Sequence, residues 1–314
     1  MTAAPLTIVA DENIPALAPL FQRFGSLRTC AGRSMSADDL ADADVLLVRS
    51  VTKVNAELLA GTPVRFVGTA TIGTDHIDQE WLRQQGIGFS SAPGCNADSV
   101  VEYVLSSLLQ LAFEQGFDLL DKVVGIVGVG NVGGRLQQRL QAMGISVRVC
   151  DPPRQAAEGG DFITLDALLA EADILALHTP LIREGAWPTF HLLNRDNLAL
   201  LKPNAILLNA GRGPVIDNAA LLEISLARPD LTLVLDVWEQ EPAVDARLVE
   251  RCAIATPHIA GYSLDGKIRG TWMLYRALCE HLGMAVETQL SEVLPPSAVK
   301  ALTLADPQDL LTPA

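Results

Sequence analysis

The stretch VVGIVGVGNVGGRLQQRL, Val123–Leu140, decides how this chain folds. Val123 to Val127 reads as a buried strand, and Gly128, Gly130 and Gly133 follow it in the pattern G-x-G-x-x-G as a helix opens. The first glycine permits a tight turn, the second lets backbone N–H groups approach a diphosphate, and the third lets helix pack on strand. The ligand would meet the helix N-terminus, where unpaired N–H groups and the helix dipole favour negative charge. Asn131 and Val132 belong to the same loop. The next strand, VRVCD, ends in Asp151, which is placed to accept hydrogen bonds from a ribose diol and to repel a 2′-phosphate. NAD is therefore the expected cofactor, with Arg154 close by as the one feature that favours NADP.

Outward from this motif, short strand-like runs alternate with amphipathic segments, the signature of an α/β protein with parallel sheets. Six candidate strands form one series: KVVGIVG, ISVRVCD, DILALHTP, AILLNAG, LTLVLDV and CAIATPH. An earlier series contains LTIVA, DVLLVRS and RFVGTA, with helices over Pro15–Phe24 and HIDQEWLRQQG. Val100, Val101, Val104, Leu105, Leu108, Leu109 and Leu111 repeat at a helical period in a long helix from about Ala97 to Glu114, and core packing explains that stripe. LDGKIRGTWMLYRALCEHLG predicts a closing helix, and the last 25 or so residues read as a loose tail. The expectation is two Rossmann-like or flavodoxin-like domains, doubly wound parallel sheets with a cleft between them. A discontinuous substrate domain takes residues 1–95 and 267–314, and a NAD-binding domain takes residues 96–266, with hinges near both junctions.

Composition narrows the function classes. A formal charge of −14 argues against nucleic acid and acidic membrane surfaces as partners, while leaving room for a small anionic substrate in a local basic pocket. No apolar run is long enough to span a bilayer. MTAAPLTIVADENIP reads as a first strand rather than a signal peptide, so a cytoplasmic location is expected. Five scattered cysteines without a CxxC pair suit reduced thiols, and no metal site is expected.

Three later strands end in chemistry-bearing residues. ILLNAGRGPVID offers Arg212, LVLDVWEQEP offers Asp236 and Glu241, and AIATPHIAG offers His258. Each has a bland reading: Arg212 as a turn residue, Glu241 as a helix-start anion, His258 as a satisfied core group. Ligands of open α/β sheets gather at the carboxyl ends of strands, and all three fall there.

These segments, with GIVGVGNVG, resemble the motif set of the D-2-hydroxyacid dehydrogenases over about the first 285 residues. VADENIP, VRSVTKVN, FVGTATIGTDHID, SAPGCNADSVVEYV and TPHIAGYSLDGKIRGT resemble one branch of that family, which acts on a phosphorylated 2-hydroxy acid. The resemblance implies His258 as acid/base, Glu241 as its partner and Arg212 as substrate anchor. It implies Thr179, Ala210, Gly211, Arg212, Asp236 and Gly261 around the nicotinamide end of NAD. It implies Ser50, Thr71 and Tyr262 as substrate contacts, while Arg49 and Lys53 are candidates for the phosphate. Alternatives are a phosphoglycerate, glycerate or hydroxypyruvate dehydrogenase, or a non-enzymatic NAD-sensing corepressor on the same scaffold. Members of the branch usually carry a further C-terminal domain that takes part in dimer formation, whereas this chain stops 56 residues after His258. A homodimer built through the cofactor domain is the expectation.

Overall fold

The computed structural model describes residues 4–296. The chain forms two compact units. One runs to Asn96 and resumes at Tyr262, and the other takes Ala97–Gly261.

The first unit is built on five parallel strands, β1 (Leu6–Asp11), β2 (Gly25–Cys30), β3 (Val45–Val48), β4 (Phe66–Thr69) and β5 (Gly88–Ser90), in the order β2-β1-β3-β4-β5. Side chains alternate across the sheet, so Ile8, Ala10, Val45 and Leu47 enter one core layer while Val9, Leu46 and Val48 enter the other. The first layer is completed by the helix Leu264–His281, whose Leu274, Tyr275, Leu278 and Cys279 are fully buried. At roughly 1.5–3 kcal/mol per buried large apolar side chain, this face ties the C-terminal helix to the N-terminal sheet. Ser263 starts that helix as its cap, accepting from Gly266 N at 3.0 Å.

The second unit carries six parallel strands, β6 (Val123–Val127), β7 (Ser146–Cys150), β8 (Ile174–Leu177), β9 (Ile206–Asn209), β10 (Thr232–Leu235) and β11 (Ile254–Ala255), in the order β11-β10-β9-β8-β6-β7. The same alternation sends Leu175, Leu177 and Leu207 to one face and Ile174, Ala176, Ile206 and Leu208 to the other. The long helix Ala97–Gln115 buries Val101, Val104, Leu108 and Leu111 on that second face. Chain direction reverses across the sheet at β1/β3 in the first unit and at β6/β8 in the second, the switch points where ligands of open α/β sheets bind.

The six strands expected in the second series are β6 to β11, and the two doubly wound sheets are as expected. The first sheet holds a strand that the sequence conceals: β2, GSLRTC, lies on the edge and alternates between exposed and half-buried residues. The helix expected over Pro15–Phe24 is shorter, Leu17–Phe21 followed by a single 3-10 turn, Gln22–Phe24. Proline at 15 and 19 lacks the N–H that a longer helix would use. Within the expected tail, Leu290–Val293 forms one helical turn, and the remainder beyond residue 296 lies outside the described residues.

Candidate active site

The fingerprint loop is shaped by what glycine leaves out. Gly128 has φ +84°, and a Cβ there would meet His178 O at 2.9 Å. A Cβ on Gly133 would lie 2.0 Å from Gly128 O, so turn and helix can close only on a bare α-carbon. Gly130 differs, for a Cβ would meet nothing within 4 Å. Gly130 and Asn131 are exposed, and the amides of Gly130, Asn131 and Val132 donate no hydrogen bond among the described residues. Three uncommitted amides at the N-terminus of the helix Gly133–Ala142 suit a diphosphate.

Asp151 braces this loop. Its Oδ2 accepts from Val129 N at 2.7 Å, and Oδ1 accepts from Arg154 N at 3.0 Å as the cap of the helix Pro152–Glu158. Each oxygen keeps a second lone pair for a ribose hydroxyl. Arg154 is already engaged, donating to Val129 O at 2.7 Å and pairing with Glu158 at 2.6 Å. Past the end of β8, the Thr179 hydroxyl is buried beside Gly128 without a partner among the described residues, an orphaned polar group of the kind a cofactor amide would satisfy. Loop, carboxylate and hydroxyl together fit a dinucleotide.

The sheet edge brings His258 to Glu241. His258 Nδ1 lies 2.8 Å from Glu241 Oε2, while Glu241 Oε1 accepts from Trp238 N at 2.8 Å. With the carboxylate accepting from Nδ1–H, Nε2 is left as the proton acceptor. The His258 side chain is 51% exposed, so the core reading of this histidine is overturned. Its backbone is left-handed, with φ +58°. Asp236, only 1% exposed, holds that conformation. Its backbone oxygen accepts from His258 N at 2.7 Å, Oδ1 from Ile259 N at 2.7 Å and Thr256 Oγ1 at 2.6 Å, and Oδ2 from Ala260 N at 2.9 Å. Since the Thr256 proton goes to Asp236, the Tyr103 hydroxyl donates to Thr256 Oγ1, at 2.7 Å. Burial pushes the Tyr103 phenol up, which keeps it in the protonated, donating form.

Arg212 sits on the loop after β9. Its backbone oxygen accepts from Asn209 Nδ2 at 3.0 Å, Asn209 Oδ1 accepts from Gly211 N, and Arg212 Nη1 donates to Gly211 O at 2.9 Å. A Cβ on Gly213 would meet Trp238 O at 1.9 Å, so this loop is packed against the one that leads to Glu241. Ala210, Gly211, Arg212 and Gly261 are all half-buried. Sequence reading missed Asn209, Trp238, Thr256 and Tyr103. A buried asparagine ending ILLN was the one signal available, since an amide at an apolar strand end needs partners.

In the first unit, Thr71 Oγ1 lies 2.8 Å from Thr69 Oγ1 and donates to Gly73 O. Thr69 Oγ1 is 2.9 Å from His76 Nε2, and burial pushes that imidazole down. Ser50 is exposed, and Tyr262, 70% exposed, lies under the Lys267 ammonium at 3.3 Å from its ring centroid. Arg49 pairs with Asp11 at 3.0 Å.

Among the described residues His191, Asp217 and Glu239, far apart in the sequence, bring ligand-type atoms within 4.8 Å of one another. His191 Nε2 and Glu239 Oε1 are in direct contact at 2.6 Å. Among the described residues no helix is long and apolar enough to cross a membrane.

A family profile, D-isomer specific 2-hydroxyacid dehydrogenase, NAD binding domain, matches residues 107–260. The chain is 57% identical over 305 residues to the erythronate-4-phosphate dehydrogenase of Azotobacter vinelandii, covering 96% of this chain and 80% of that protein. It is 55% identical to the enzyme of the same name from Pseudomonas putida, again over 305 residues, covering 97% and 80%. The fold is also that of the NAD-bound 3-phosphoglycerate dehydrogenase of Entamoeba histolytica, with a TM-score of 0.76 at 24% identity over 89% of this chain and 96% of that one.

Proposed function

This chain belongs to the D-2-hydroxyacid dehydrogenase family, and from that premise we propose that it oxidises 4-phospho-D-erythronate with NAD. The product is (R)-3-hydroxy-2-oxo-4-phosphooxybutanoate, on the route to pyridoxal phosphate. The observation that carries the chemistry is the His258–Glu241 pair at 2.8 Å in the same unit as the dinucleotide fingerprint.

Bound NAD would accept the hydride that leaves C2 of the acid. His258 Nε2 takes the hydroxyl proton as the C–O bond becomes a carbonyl. Glu241 fixes the ring so that Nε2 is the free base, and its charge stabilises the imidazolium that forms. Arg212 grips the substrate carboxylate with its planar fork, a task lysine performs less well. We assign Thr179, Ala210, Gly211, Asp236 and Gly261 to the nicotinamide end and Ser50, Thr71, Tyr262 and Arg49 to the substrate. Residues 1–95 and 267–314 then serve as the substrate domain and 96–266 as the NAD domain. A cytosolic homodimer is the assembly we propose, which light scattering would test.

The deciding experiment is a panel of 2-hydroxy acids assayed by NADH absorbance. 4-Phospho-D-erythronate should give the highest kcat/KM. A clear preference for 3-phosphoglycerate, or for an unphosphorylated acid, would overturn the substrate assignment.

A further inference from the structure

The first sheet repeats the topology of the second, yet its switch point holds no glycine loop. At the carboxyl end of β1 stands Asp11, wholly buried, and just past β3 stands Arg49. The two strands are neighbours, so these side chains meet at the β1/β3 crevice, the position that holds the fingerprint in the other unit. Arg49 Nε lies 3.0 Å from Asp11 Oδ2, close enough for an ion pair although off the line of a hydrogen bond. Asp11 Oδ1 accepts from Asn13 N at 2.8 Å, which fixes the carboxylate from the other side. Even the facing loop is cut to fit, because a Cβ on Gly32 would lie 2.1 Å from Asp11 Oδ2.

A buried carboxylate is costly unless it is matched by a cation, so a lone aspartate at this place needs a purpose. Arg49 provides the match from a half-exposed position, its side chain 28% exposed, and pairs with no other carboxylate among the described residues. Its inner nitrogen faces the protein. The terminal nitrogens make no hydrogen bond among the described residues. Lys267 adds a second positive charge nearby, over the ring of Tyr262. Arg49 also helps to hold the Tyr262 phenol below its ordinary range, after the larger effect of Lys267, so these groups share one electrostatic neighbourhood.

We infer that Asp11 is a positioning residue, which holds the Arg49 guanidinium by its inner edge so that the outer fork takes the phosphate of the substrate. The inference rests on the proposed phosphorylated substrate and assigns its phosphate to this switch point. An unpaired arginine of this length would sweep many rotamers. Anchored at Nε, it presents a fixed fork, and less entropy is lost when a phosphate docks. Lysine cannot replace it, because its single ammonium would settle on Asp11 and offer little to an anion.

The test compares kcat/KM for 4-phospho-D-erythronate with that for D-erythronate in the wild type, Asp11→Asn, Arg49→Lys, Arg49→Ala and the Asp11→Asn/Arg49→Ala double variant. The preference for the phosphate ester should fall by about 10-fold or more in each single variant, the size of losing one charge-assisted hydrogen bond. The loss should appear mainly in KM, and the double variant should be no worse than Arg49→Ala. Should Asp11→Asn fail to fold, Arg49→Lys carries the test, since it keeps the charge but its one ammonium cannot pair with Asp11 and present a fork to the phosphate at the same time. If Arg49→Lys keeps the full preference, or if the two single losses multiply in the double variant, the inference is wrong. If the wild type shows no preference for the phosphate ester, the substrate reading itself has failed, and the inference falls with it.

Discussion

Glu241 divides its carboxylate between two tasks, one oxygen 2.8 Å from His258 Nδ1 and the other accepting from the Trp238 amide. The imidazole is thus oriented by a group that is itself held by backbone. His258→Asn should lower kcat by about 10²–10⁴-fold while NAD binding persists, and Glu241→Gln should also lower it by about 10²-fold or more, because the amide NH2 must face a donor at Trp238 N or favour the wrong tautomer at His258 Nδ1. Stopped-flow turnover beside calorimetric NAD binding checks both. An undiminished rate in His258→Asn would remove that residue from its assigned role.

Asp236 accepts from Ile259 N, Ala260 N and Thr256 Oγ1, so it organises the loop that bears the histidine. Asparagine would turn an NH2 group toward donors on one side. Asp236→Asn should destabilise the protein by about 2–4 kcal/mol, as expected for lost hydrogen bonds to a buried charge. It should also lower kcat by about 10²-fold through misplacement of His258. Urea unfolding and steady-state rates measure the two effects.

Gly130 and Gly133 separate binding from folding. A methyl group at 133 would collide with Gly128 O, whereas one at 130 enters open space. Gly133→Ala should lower stability by about 1–3 kcal/mol or more. Gly130→Ala should melt like the wild type without ligand yet weaken NAD binding by about 10-fold or more, as a methyl group would block the approach of a diphosphate. Thermal melts with and without NAD distinguish them.

Asp151 both caps a helix and braces the fingerprint loop through the Val129 amide. Serine retains the cap and removes the charge. Asp151→Ser should raise the ratio of NADP to NAD kcat/KM by about 10-fold or more. An unchanged ratio would show that cofactor choice is made elsewhere.

Burial pushes the His178 imidazole down to about 4, and neither ring nitrogen has a partner among the described residues. The unfolded chain protonates near the ordinary value of about 6.5, so between these limits it binds more protons than the folded one. The contribution is complete above the ordinary value and is lost as pH falls toward 4. From pH 7 to pH 5 this residue should subtract roughly 2 kcal/mol from stability. His178→Leu should flatten that part of the profile, as followed by urea unfolding at the two pH values.

The sequence displayed the parallel sheets because buried strands such as ILAL and ILLN are unbroken apolar runs. It hid β2, whose residues do not commit to an interior. Chemistry-bearing residue types were visible at the strand ends, but not what each side chain serves. Asp236 stands out by its strand-end position, but the sequence does not show that its oxygens meet amides more than twenty residues downstream. Asp11, two residues before Asn13 in an unremarkable VADENIP, gains meaning only when β3 lies beside β1 and brings Arg49 to it. Pairings over such distances leave no periodic trace.

The strand leading to His258 is two residues long and lies at the rim of its sheet. What holds the backbone beneath the imidazole is Asp236, rooted at the end of the neighbouring strand β10, one place further in. His258 therefore borrows the stiffness of the interior while standing at the margin of the sheet. Fraying of the rim would leave it in place; neutralising one side chain would set it adrift.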